Sequence, residues 1–155
     1  MTPIIMLDRL VEHLQAITEN FELQSNVTGI TKAPQVIAGY LPEKKPVQKQ
    51  NVPDFPYVIV RYLQEEDDND GVIASVKIIV GTYSQDAQDG WRDPLNILTR
   101  IKQDLLARPV FGESFRVEKP IKTELPEEQP FPEWWGAITL QVIMPQMEEE
   151  GGFLS

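Results

Sequence analysis

Cysteine is absent from this chain, and histidine occurs once, as His13. Without thiols there can be neither a disulfide framework nor a thiolate zinc site, and a single imidazole cannot build a multi-histidine metal centre. Positive charge is also scarce: 14 Lys and Arg against 24 Asp and Glu give a formal net charge of -10. Duplex binding is driven by cations that displace counterions from phosphates, so this balance argues against a surface built to condense on free nucleic acid. No apolar run approaches the ~18 residues that would cross a bilayer, and the chain does not open with a basic segment followed by an apolar one. A soluble, unexported protein suited to a reducing cytoplasm is the expectation. The phosphate-cradling patterns G-x-x-x-x-G-K and G-x-G-x-x-G and the nucleophile elbow G-x-S-x-G are missing too.

What is present fits one domain. A chain of 155 residues can bury about 70% of its unfolded surface, enough for its own core. Residues 1–146 read as that domain and 147–155, with Glu148, Glu149 and Glu150, as a flexible acidic tail. Thr2-Pro3 is a hydroxyl cap followed by a proline suited to the first helical position. Ile4, Leu7, Leu10, Val11, Leu14, Ile17 and Phe21 then recur at helical spacing, with Glu12, His13, Gln15 and Glu19 on the polar side. Asp93-Pro94 repeats the cap, and Leu95, Leu98, Ile101, Leu105 and Leu106 predict a second amphipathic helix ending at Arg108-Pro109.

Strands are expected at Val36–Leu41, at Tyr57–Tyr62, from Val72 to about Gly81, around Phe115–Glu118 and at Trp134–Met144. Asp70-Gly71 predicts a hairpin joining the second and third of these, with the acidic Glu65–Asp70 run as its solvated turn. In the third strand Val72, Ala74, Val76, Ile78 and Val80 share one face, while Ser75 and Lys77 mark the other as partly wet. Two polar, proline-rich connections are expected, Pro42–Pro56 and Pro120–Pro132. The first carries Lys44, Lys45 and Lys49 and predicts a projecting loop or hairpin arm. Helix, strands, helix, strands with hairpin connections gives an α+β class: an antiparallel or mixed sheet with two amphipathic helices packed on one face.

The acidic run does not fit a calcium loop. Placing Gly71 at the glycine position puts Glu66, Asp68 and Asp70 at the first three ligand positions, but Lys77 falls where the bidentate Glu must stand. A negatively charged turn is the better account. His13 has no nucleophile beside it to serve, so a surface histidine is expected. No catalytic, metal or cofactor residue is assigned, and an enzyme is not expected. Trp134 and Trp135 are adjacent in a strand and must point to opposite faces, so one can anchor the core while the other needs a second layer or a partner.

The first helix, the Pro56–Arg61 strand, the Val76-Lys77-Ile78-Ile79-Val80-Gly81-Thr82-Tyr83-Ser84 strand running into Gly90-Trp91-Arg92-Asp93, and the closing Trp135-Gly136-Ala137-Ile138 strand with Met144-Pro145 together resemble the tail terminator, or tail completion, proteins of long-tailed bacteriophages and prophages. The resemblance spans about residues 1–146 and rests on topology and composition. It implies a structural subunit of a homo-oligomeric ring, a hexamer, that caps the tail tube and stops its polymerisation. Its partners would be itself, the major tail tube protein and the head–tail connector, with DNA only as cargo in the lumen. It would act in the host cytoplasm during assembly and then at the neck end of the virion tail. Lys44, Lys45, Lys49, Trp134 and Trp135 are the candidate contacts to a neighbouring subunit or tube. A small cytoplasmic regulatory or adaptor protein is the alternative.

Overall fold

The computed structural model describes residues 2–42 and 54–145. Lys44, Lys45 and Lys49, the central part of the expected arm and the acidic tail lie outside the described residues. Helix α1 spans Pro3–Thr18, and the Thr2 hydroxyl accepts the Ile5 N–H at 3.1 Å, as the Thr-Pro cap requires. Its buried stripe is Met6, Leu10, Leu14, Ile17 and Thr18, with Leu7 and Val11 packed at the margin. Ile4, expected inside, is 66% exposed, and the buried stripe begins at Met6. Thr18 is buried without cost: its hydroxyl donates to the Leu14 carbonyl at 2.8 Å.

The strands are β1 (Leu23–Gln24), β2 (Thr31–Lys32), β3 (Gln35–Ala38), β4 (Tyr57–Asp68), β5 (Gly71–Tyr83), β6 (Val110–Phe111), β7 (Phe115–Glu124) and β8 (Glu133–Met144). β1 and β2 form a small hairpin; the other six form one sheet in the order β3-β4-β5-β8-β7-β6. Every neighbouring pair is antiparallel except β3–β4, which runs parallel. A parallel pair needs a long return connection, and residues 39–56 supply it.

Helix α2 spans Arg92–Ala107 and so begins before Pro94, the first helical position that the Asp93-Pro94 cap predicts. Trp91 occupies the cap with helical dihedrals and no side-chain capping bond, so Asp93 lies inside the first turn rather than before it. The C-terminal boundary falls at Arg108, where the Pro109 that follows cannot continue the ladder. Both helices pack on one face of the sheet. Ile97, Leu98, Ile101 and Leu105 of α2 and the α1 stripe meet Val58, Val60, Val76, Ile78, Val80, Ile138, Leu140 and Val142 in a single core. The α+β fold with two helices on one sheet face is therefore present as the periodicities require.

Two strands run further than the sequence predicts. β4 continues through the acidic run to Asp68, pairing with β5 as far as Gly71, so the loop residues are Asn69 and Asp70. A bulge between Tyr62 and Gln64 admits this extension: Leu63 is the extra residue and is 46% exposed. β7 likewise absorbs Pro120, because the register shifts between Glu118 and Lys122 and the proline sits in that irregularity. The connection expected from Pro120 thus begins only after Glu124.

Candidate functional site

Alternation along the strands divides the sheet into two unlike faces. The even-numbered positions of β5 and β8 point at the helices; the odd-numbered positions point away, where no helix lies among the described residues. Register converts that second face into cross-strand rows. The first is Tyr57, Gly81 and Trp135; the next is Ile59, Ile79, Ala137 and Glu124. Then come Arg61, Lys77, Thr139 and Lys122, followed by Gln64, Ser75, Gln141 and Glu118.

The aromatic end is built around a glycine. The Tyr57 ring lies over Gly81, and a Cβ there would stand 2.2 Å from Tyr57 Cζ, so only glycine lets the ring lie down on the sheet. Phe55 packs beside it at 5.1 Å between centroids, and Tyr83 lies 6.2 Å from Phe55. Tyr57, Trp135, Ile37 and Leu41 border a small apolar cluster in which Ile59, Ile79 and Ala137 are buried. Burial, and after it the negative charge of Glu133, pushes the Tyr57 phenol above the usual tyrosine range, so the hydroxyl stays protonated as a donor.

Trp134 and Trp135 do point to opposite faces. Trp134 turns to the helix side, is 8% exposed and donates its indole N–H to the Ser84 carbonyl at 3.0 Å. Gly90 leaves room for it: a Cβ at that position would meet the indole at 2.5 Å. Trp134 is thus an internal anchor, tying the loop before α2 to β8. Trp135 is half-buried on the open face. Its backbone is held by one side chain, since Gln129 Oε1 accepts the Trp135 N–H at 2.8 Å and Gln129 Nε2 donates to the Trp135 carbonyl at 2.9 Å. That amide takes the place of a neighbouring strand where β7 has ended.

Below the apolar cluster the face turns polar. Arg61 is positioned by its Nε donating to the Gly39 carbonyl at 3.1 Å and by the Tyr40 ring, 4.0 Å from the guanidinium carbon. Ser75 Oγ donates to Gln141 Oε1 at 2.9 Å in the following row. Beyond it Ile73 and Ile143, directly opposite each other, are 45% and 37% exposed. Among the five residues proposed from sequence, the structure brings Trp135 to this face, places Trp134 in the interior and does not describe the three lysines. Tyr57, Gly81, Arg61 and Lys122 were not singled out by sequence, since their adjacency exists only through register. Lys77 had a signal in the period-2 pattern of β5.

His13 departs from the expected solvent position. Its Nε2 lies 3.0 Å from Asp104 Oδ2, which ties α1 to α2, and Asp104 is only 9% exposed. Arg108 donates to the other oxygen of the same carboxylate. The group is an inter-helix clamp, with no nucleophile hydrogen-bonded to the imidazole among the described residues. Also among the described residues, no three His, Asp or Glu side chains stand close enough to hold a metal ion, and no helix is long and apolar enough to cross a membrane. Neither a protein-family model nor a curated protein matches the chain.

Proposed function

We propose that this chain is a structural subunit that caps the end of a phage or prophage tail tube, terminating its polymerisation and offering a surface to the head–tail connector. The observation that supports the reading best is the one-sided sheet: two helices cover one face, while the other carries an aromatic end, a polar middle and exposed Ile73 and Ile143 with no second layer among the described residues. A face of this kind suits repeated contact with flat protein surfaces, as between ring neighbours or between ring and tube. The resemblance of the α1, β4, β5–α2 and β8 segments to tail terminators supplies the assembly. The net charge of -10 is compatible with a lumen that passes DNA without gripping it, because like charge lowers affinity for phosphates.

Deletion of the gene tests the proposal. Overlong or uncapped tails that fail to join heads are expected, with purified protein bound at one end of tubes assembled from the major tail protein. Tails of normal length in the deletion strain, together with no end-binding, would overturn it and leave the adaptor reading.

A further inference from the structure

Arg61 of β4 and Lys77 of β5 stand directly opposite each other on the open face, and Thr139 and Lys122 continue the same row. Like charges in directly opposed positions destabilise a sheet. The pair is also isolated from the acids that dominate this chain. The flanking rows offer Arg61 and Lys77 only Ile59, Ile79, Gln64 and Ser75, and no described carboxylate pairs with either cation. Glu118 and Glu124 lie on the Lys122 side of the row, and Glu118 already accepts from Arg116 at 3.1 Å. With 24 acids available against 14 bases, a cationic row that contains no carboxylate, on a face that no element covers among the described residues, calls for an external anion.

We infer that this row seats the acidic β4–β5 hairpin of a second copy of the chain. The hairpin offers Glu65, Glu66, Asp67 and Asp70, all exposed, on two strands that extend past β3. It does not pair with its own row: Glu66, the hairpin acid on this face, stands opposite Ile73, four positions along β5 from Lys77, about 13 Å at the rise of an extended chain, and none of the ion pairs among the described residues joins the hairpin to Arg61 or Lys77. The row spans four strands, about 14 Å across, wide enough to receive a two-stranded ribbon whose strand axes lie about 5 Å apart. Exposed Ile73 and Ile143, between the row and the tip, add apolar contact to the charge pairing. A contact that joins the tip of one copy to the face of the next is heterologous, and such contacts close into a ring when the rotation allows. The assignment rests on the ring-forming reading and names the surfaces through which that ring would close.

The absence of cysteine makes disulfide trapping clean. Full-length Asp67→Cys and Thr139→Cys proteins, mixed and oxidised at low salt, should give mixed disulfide dimers about tenfold in excess of either homodimer. Near 1 M salt, where screening acts within ~3 Å, the excess should vanish. Lys77→Glu with Lys122→Glu should weaken association at least about tenfold by sedimentation. Adding Glu66→Lys and Asp67→Lys to the same chain should restore it. Association that ignores the charge reversal, or salt-insensitive trapping, overturns this assignment while a ring closed through other surfaces stands. Trapping that appears only after residues 146–155 are removed would assign the row to the acidic tail instead and also overturn it. A chain that neither associates nor traps at any salt overturns it as well, and whether the capping reading survives is then decided separately by tail length in the deletion strain.

Discussion

The ring of Tyr57 lies flat across Gly81, its cross-strand partner, at a distance that no side chain at position 81 could tolerate. The contact seals one end of the apolar cluster of Ile59, Ile79 and Ala137, and it depends on β4 and β5 holding their register. Gly81→Ala should therefore cost about 1–3 kcal/mol, the usual penalty for overpacking. Adding Tyr57→Leu should recover part of that loss. Urea denaturation of the single and double variants measures both, and additive effects would show that the ring does not press on position 81.

Trp134 and Trp135 should separate stability from assembly. Trp134→Ala removes a buried indole and strands the Ser84 carbonyl, and about 3–5 kcal/mol of subunit stability should be lost. Trp135→Ala acts on a half-exposed ring and should cost less in the isolated subunit while reducing capping of tail tubes. Thermal unfolding and tube end-binding, measured on both variants, check the contrast.

The clamp between the helices should behave as a coupled unit. Asp104→Ala releases His13 and Arg108 together, so it should destabilise more than His13→Ala. A double-mutant cycle between His13 and Asp104 should return a coupling energy of about 0.5–3 kcal/mol. A coupling near zero would mean that the two groups only stand side by side.

Burial, and secondarily the charge of Asp86, raise the Asp93 carboxyl above the ordinary carboxylate value. The folded state then holds this proton more tightly than the unfolded state does. Its stabilising contribution is complete below the unfolded value and is lost as pH rises through the folded one. Asp93→Asn should therefore be more stable than the parent near neutral pH, and the advantage should shrink as pH falls through that window. Melting temperatures of both proteins from neutral pH to about pH 4 test the sign, and a gap that stays constant would contradict it.

Local signals located most elements but misjudged several ends. The Thr2-Pro3 cap and the stripe through Leu10, Leu14 and Ile17 placed α1, while Asp93-Pro94 pointed to α2 slightly late because Trp91, not a capping side chain, occupies its start. The Glu65–Asp68 run and Pro120 looked like loop on propensity alone. They are strand because β5 and β8 supply the hydrogen-bonding partners, and a bulge in each strand absorbs the misfit.

Periodicity and composition determined that the chain holds two amphipathic helices and alternating strands, that Trp134 and Trp135 oppose each other, and that thiol chemistry is excluded. Those properties depend on residue identity and on neighbours within a turn or a pleat. Tertiary structure alone decided the order β3-β4-β5-β8-β7-β6, the His13–Asp104 clamp and the row of Arg61, Lys77, Thr139 and Lys122. The reason is that a period of two says which side of its own strand a residue faces, whereas its cross-strand neighbour is set by register between segments far apart in the chain.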